Sequence, residues 1–583
     1  MHTKRHPRPL WFRFVAVYFL LSFSLLGCSA DSEPKVYPFT QPLETSSHLT
    51  NTRAYLTAAV AEQRGAHTMA GQQYLKALTE VPDNLILRQK SYGYALASGD
   101  MDTAIRLAKT FTPTTAPDGV TWLLLSLDSM RSRDFKAAKA HLERAREQTP
   151  KLLHFQTLET IIDLAAGNTT ALEKLEKFNT HNSLESRKQY MLGRLKAHMG
   201  DAAGALAAYE TAQKIEPSSL FIALDLGEAL ERKGEIKAAY AVYDAFMAAN
   251  PEGELLQHVF DRHKQEKPLT PYKKTTLEQE AAAVMFDFGL LMWAQRLDIA
   301  AKQMVNMAEW LDNSSERAAF VRFYSGMLEE AAGRTAEASR IYMSLPEQGP
   351  AWLSGQMRVV RTLVDTQEYA AAISLLQQLQ TLYPAKTSLL QTLAQVYYDN
   401  DDFPNATKTY TTLFAALEEE KKANPTANFA AEEVQLLFAR GASFERMNKF
   451  DKASADLEKA LALNPDNPTI LNYLGYMWLD TDTNIDKAFA YVAKAALLNP
   501  GDGAVLDSLG WGYYKKGDYA KALLYLEKAV TLIPNDPSVL EHLGDTHKKL
   551  GDPEKAQQYW QKAWDNNPTG KRERNRLADK LGK

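Results

Sequence analysis

Cys28 is the only thiol in 583 residues, and it stands directly behind an uncharged apolar run, Phe14 to Leu26. A lone cysteine in that place is suited to one reaction, attack by its sulfur on an electrophile, and can form no intramolecular disulfide. Other chemistry-bearing residues fall into no catalytic spacing: the chain has no G-x-S-x-G elbow, no H-E-x-x-H, no phosphate-binding G-x₄-G-K-[ST] loop and no C-x-x-C. His258, Asp261 and His263 lie near enough together to suggest a metal site, but Lys264, Glu266 and Lys267 beside them fit a solvated helix face. Neither a catalytic residue, a metal nor a cofactor is expected.

The residues around Cys28 assign its reaction. Lys4, Arg5, Arg8 and Arg13 precede a 13-residue apolar run, too short to span a bilayer core and suited to a cleaved leader. The run ends Leu25-Leu26-Gly27-Cys28, which resembles a bacterial lipobox, with Gly27 small enough for the peptidase and the Cys28 sulfur as acceptor of diacylglycerol. That resemblance implies a signal peptide over 1–27, Cys28 as the mature, palmitate-bearing N-terminus, and stable anchoring by more than one acyl chain. Ser29, in place of Asp, implies sorting to the outer membrane, facing the periplasm. Loss of residues 1–27 lowers the formal charge from −4 to −8, so nucleic acid is not expected as a partner.

The elements that follow are helical. Residues 28–50 mix Pro, Ser, Thr and Glu without period and read as a flexible linker. From residue 51 an Ala/Leu/Lys/Glu-rich pattern is broken by Gly-Asp, Asn-Pro and similar pairs about every 15–20 residues. The segment Leu509–Pro534 aligns with Leu543–Pro568 at a shift of 34, and both resemble the tetratricopeptide pattern. Small residues at Gly510, Ala522 and Ala529, then Gly544, Ala556 and Ala563, let two antiparallel helices approach closely. Carried back, the frame places Gly475, Gly441, Ala394, Val360, Gly326, Gly289, Gly227, Gly193, Glu159, Ser126, Gly93 and Ala58 in the Gly510 position. The expectation is an all-α, right-handed superhelical solenoid of about fourteen helix pairs over 51–568. An insert falls at about 252–280, an extended helix at about 414–433, and a basic capping helix over 569–583.

In such a repeat the first helix lines the concave face. The residue after the small Gly, those three and four further on, and the one three before it face inward. This selects Asn472, Tyr476, Asp507, Trp511 and Tyr514, with Gln395 and Tyr398 earlier and Glu541, Asp545 and Lys548 later, as a protein-binding groove. Tyr and Trp give large contact area at low entropy cost, and Asn can clamp a peptide amide. Packing between repeats is the competing assignment for Trp511 and Tyr514.

The wording "LGY…LDSLGW", Leu474–Tyr476 and Leu506–Trp511, resembles the C-terminal repeats of large proteobacterial tetratricopeptide lipoproteins that partner a periplasmic carboxyl-terminal processing protease. The resemblance implies a non-catalytic adaptor that holds the protease and its substrates, enzymes that cut peptidoglycan cross-links. An assembly lipoprotein for an outer-membrane secretin, pilus or polysaccharide exporter is the alternative of the same physical type.

Overall fold

Helix-forming runs separated by short turns leave no room for strands, and among the described residues every regular element is a helix. The computed structural model describes residues 52–63, 67–116, 118–147, 152–250, 253–264, 274–568 and 571–583. Cys28, the leader and the linker lie outside the described residues.

Thirty α-helices follow one another among the described residues. The first six pairs are α1 (Thr52–Gln63) and α2 (His67–Glu80), α3 (Leu85–Ser98) and α4 (Met101–Ala108), α5 (Gly119–Arg131) and α6 (Phe135–Ala145), α7 (Leu153–Ala165) and α8 (Leu172–Glu176), α9 (Glu185–Met199) and α10 (Ala202–Ile215), α11 (Leu220–Lys233) and α12 (Ile236–Ala249). An inserted α13 (Gln257–Lys264) precedes α14 (Leu277–Ala294) and α15 (Asp298–Leu311), α16 (Glu316–Ala331) and α17 (Thr335–Met343), α18 (Trp352–Asp365) and α19 (Tyr369–Leu382). Then come α20 (Thr387–Asp399) and α21 (Phe403–Ala423), α22 (Ala430–Arg446) and α23 (Phe450–Leu463), α24 (Pro468–Asp480) and α25 (Ile485–Leu498), α26 (Gly503–Lys515) and α27 (Tyr519–Leu532), α28 (Pro537–Lys549) and α29 (Pro553–Asp565), and the terminal α30 (Lys571–Leu581). That is fourteen helix pairs, with α13 and α30 outside the pairing.

The chain divides into two compact units, residues 1–91 and 92–583. In the first, Tyr74 is fully buried, its ring edge-on to Tyr55 at 5.9 Å, and its hydroxyl donates to Glu62, which also takes the Lys90 ammonium at 2.8 Å.

In the second unit a regular device holds most pairs. The second helix points a stripe of Ala, Leu or Val at the first: Ala453, Leu457 and Ala460, Ala488, Val492 and Ala495, Ala522, Leu526 and Ala529 are each fully buried. The first helix meets that stripe with the small residue. A β-carbon on Gly227 would sit 2.2 Å from the Tyr243 ring, so any larger residue would wedge the hairpin open. In two pairs the stripe carries a Tyr whose hydroxyl donates to a carboxylate late in the first helix: Tyr243 to Glu231 at 2.7 Å and Tyr342 to Glu330 at 2.9 Å. The turn between helices needs a left-handed residue, supplied by Gly517 at φ 81° ahead of the cap Asp518.

Three departures from the sequence reading have physical causes. Glu159 does not act as a close-approach residue: it is half-buried, pairs with Arg146 at 2.9 Å, and faces α8, only five residues long. The long helix α21 stops at Ala423 and does not run on to 433, because Asn424 precedes Pro425 and leaves helical φ, and α22 starts at Ala430. The third concerns the concave face. After the insert, α14 does not simply extend the stack but packs on α7 and α9, first helices of earlier repeats.

That fold-back is polar at its centre. Arg194 of α9, 5% exposed, gives two hydrogen bonds of 2.8 and 3.1 Å to Glu280 of α14. Burial alone would discourage the Arg194 charge, but the Glu280 carboxylate holds the guanidinium protonated. His154 Nε2 meets Asp287 at 2.8 Å, and Arg187 pairs with the same carboxylate. Phe221 stands edge-on to Phe286 at 5.2 Å and to Phe320 at 5.7 Å. Farther along, the Asn306 amide donates to the carbonyls of Leu96 and Ala97 at 2.8 and 3.0 Å. The inner surface of α7 and α9 is thus partly covered by the chain itself, with a cavity of about 100 Å³ left between α9, α11, α14 and α16.

Candidate protein-binding groove

Beyond the partly covered earlier face, the first helices from α20 to α28 carry the residues read as a groove. Gln395 donates to Asp399 at 2.8 Å on its own helix, and Tyr398, half-buried, stands edge-on to Phe403 at 5.4 Å. These two lie apart from the remaining set, which α24, α26 and α28 bring together.

At the centre of that set is an aromatic column. Trp511 stacks on Tyr514 with ring centres 4.5 Å apart and on His542 of the next repeat at 4.1 Å, while Tyr476 of the preceding repeat is 6.0 Å from the His542 ring. Trp511 is 7% exposed and belongs to the core between repeats, so the packing assignment holds for most of its surface. Tyr514 is half-buried, and burial pushes its hydroxyl up to about 12. His542, a residue the sequence reading passed over, is 1% exposed and its Nδ1 meets Asp507 at 2.9 Å. Burial disfavours the imidazolium, yet the Asp507 charge and hydrogen bond raise the His542 pKa above its ordinary value. The repeat frame gave no signal for it: His542 falls on the position of Ser508, one residue after Glu541, which is the equivalent of Asp507.

Around the column lies a ring of acids met by cations from α30. Glu541, 1% exposed, takes two bonds of 3.1 Å from Arg576 and one of 2.6 Å from Lys580. Burial opposes its ionisation, but those cations hold its carboxyl below the usual range. Lys580 also reaches Asp545 at 2.6 Å, and Trp560 Nε1 donates to the same carboxylate at 3.0 Å. Arg576 spans from Glu541 to Asp480 of α24 at 3.1 Å, where Arg572 adds a contact of 3.2 Å. Lys548 is exposed, its ammonium 5.4 Å over the Trp560 ring.

Three polar atoms in this set are buried without a hydrogen-bond partner: Asn472 Oδ1, Trp511 Nε1 and His542 Nε2. Of the residues weighed for a metal, the His263 side chain lies outside the described residues. His258 Nδ1–H donates to the Leu255 carbonyl, 3.1 Å away, and burial pushes its pKa down to about 4. Among the described residues no group of three His, Cys, Asp or Glu side chains is placed to hold a metal ion, and no helix is long and apolar enough to cross a membrane.

Helix pairs, close-approach glycines and an inner face of first helices define a repeat scaffold. Residues 393–568 match a family model described as tetratricopeptide repeat, and residues 190–254 match a second one of that description. The fold is an all-α tetratricopeptide-repeat solenoid, and these two stretches are tetratricopeptide repeats. Solved structures with some similarity include that of the APC/C hetero-tetramer Cut9–Hcn1, at 14% identity over 91% of this chain and 96% of that chain, with a TM-score of 0.34. Two MamA structures match at 19% and 20% identity over 31% and 30% of this chain and 96% and 97% of theirs, with TM-scores of 0.24 and 0.25. A comparison with curated proteins finds no match.

Proposed function

We propose that this protein is a non-catalytic scaffold, fastened to the outer membrane through a lipid on Cys28, that holds a periplasmic carboxyl-terminal processing protease together with its peptidoglycan-hydrolase substrates. The observation that carries the scaffold reading is the inner face of α24, α26 and α28, where Tyr476, Trp511 and Tyr514 are flanked by Asp480, Glu541 and Asp545. The half-buried rings of Tyr476 and Tyr514 beside charged groups suit capture of a polypeptide segment, with apolar contact giving affinity and the acids selecting charge. The lipobox-like Leu25–Cys28 and the "LGY…LDSLGW" wording support the location and the choice of partner.

The test is affinity capture of the lipidated full-length chain from detergent-solubilised envelopes, with mass spectrometry of what it retains. Recovery of a carboxyl-terminal processing protease, and a rise in peptidoglycan hydrolases when the chain is deleted, are expected. Capture of a secretin or another outer-membrane export protein without protease would replace this reading with the assembly role.

A further inference from the structure

The C-terminal helix α30 is a poor cap by hydrophobic standards. Among its described side chains Leu577 alone is fully buried, against Leu540, Trp560 and Ala563, with Leu581 partly buried on the same cluster, and most of the rest of its grip is polar or ionic. Glu573 bonds Ser538, Arg576 and Lys580 bond Glu541, and Lys580 bonds Asp545, so α30 runs beside α28 as the first helix of a further repeat would. Arg572 and Arg576 go beyond what a cap requires, since they reach past the last repeat to Asp480, at the end of α24.

Side chains around those acids have polar capacity that α30 leaves unused. Trp511 Nε1 and His542 Nε2 belong to side chains more than nine-tenths buried and have no hydrogen-bond partner, as has Asn472 Oδ1. A helix bonds its own backbone internally and offers such groups only side chains. A polypeptide passing in less regular conformation offers free carbonyl and amide groups. An acidic face that is already holding Arg and Lys, beside unmet donors and an unmet acceptor, is complementary to a basic polypeptide.

We propose that the inner face of α24, α26 and α28 is a docking site for an arginine- and lysine-bearing segment of a partner protein, and that α30 is its internal competitor. The proposal rests on the scaffold reading but does not require the partner to be a protease. Asp480, Glu541 and Asp545 are the subsites for the partner's cations, and access to them depends on the fraction of molecules in which α30 has let go.

The experiment uses full-length chain and, as probe, a fluorescein-labelled peptide of residues 571–583 followed by anisotropy. An internal competitor lowers apparent affinity by the fraction of open molecules, so Leu577→Asp, which unseats α30, should bind the probe about tenfold or more tighter than wild type. Should Leu577→Asp lose its cooperative melt, the triple variant Arg572→Ala, Arg576→Ala, Lys580→Ala frees the acids while keeping the Leu577 contact and should show the same gain. Adding Asp480→Asn, Glu541→Gln and Asp545→Asn to either background should abolish it. Probe affinity equal in wild type and folded variants, or a gain that survives neutralising the three acids, overturns the proposal. Protease capture by the wild-type chain is a separate readout, so the two readings fail independently.

Discussion

Glu280→Ala removes one half of the ion pair that fastens α14 to α9. Arg194 is then left 5% exposed in the wild-type geometry, without the two bonds of 2.8 and 3.1 Å that Glu280 accepts from it. Asp225, 3.3 Å from Arg194, offers partial relief, but it is already engaged by Arg317. Breaking a buried pair on one side typically costs 3–5 kcal/mol, and the Asp225 contact puts the expected loss at the lower end, about 3 kcal/mol. Local opening of α14 from α9 should therefore become about 100-fold more frequent. Native-state hydrogen exchange reads this directly, because a repeat array does not unfold as one two-state body. Amides of α14 and α9 should exchange faster, while those of α26, far along the stack, should not change. Replacing both partners, Arg194→Met with Glu280→Met, should restore protection to within a few-fold of wild type, since no charge is then stranded. A single variant that exchanges less than about threefold faster, or a double variant no better than the single one, would refute the claim that the fold-back is held by an uncompensated-charge penalty.

Trp511→Ala should destabilise the C-terminal repeats by about 3–5 kcal/mol, read as an early thermal transition, because the indole fills space between α26 and α28. The pH dependence of the same transition should follow His542, whose pKa is raised in the folded chain by Asp507, with Glu541, Asp545 and Tyr476 nearby. Its stabilisation is fully present below the unfolded value of about 6.5 and is lost as pH rises through the folded value, so the melt should fall in mildly alkaline buffer and flatten in His542→Gln. Cys28→Ser, expressed in the native host, should move the chain from the membrane to the soluble fraction; unchanged fractionation would refute lipid anchoring.

The repeat frame was legible because it is local. Gly227 facing Tyr243, Gly510 facing Leu526 and the Gly517-Asp518 turn are each fixed by residues within one helix pair, which periodicity and turn chemistry expose. Trp511 and Tyr514 were legible as first-helix residues with packing between repeats open to both, but His542 as the ring that covers Trp511 was not, because it lies in the next repeat. The return of α14 onto α7 and α9 was illegible: Arg194 and Glu280 read as ordinary charged residues of amphipathic helices, and only the path of the insert makes them partners. Arg576 was legible as a basic residue of a cap and illegible as a bridge to Asp480, because that distance depends on how three successive repeats turn relative to one another.

The fold-back also divides the second unit mechanically. Links such as His154 to Asp287 and Asn306 to Leu96 staple distant stretches, so a pull on that portion loads many contacts at once and it resists as a block. From α20 to α29 each hairpin leans mainly on its immediate neighbours, and tension there is met by small successive rotations, as in a coil spring. Stiffness and compliance are thereby assigned to different lengths of the same polypeptide, and the compliant length is the one that carries the aromatic column and its ring of acids.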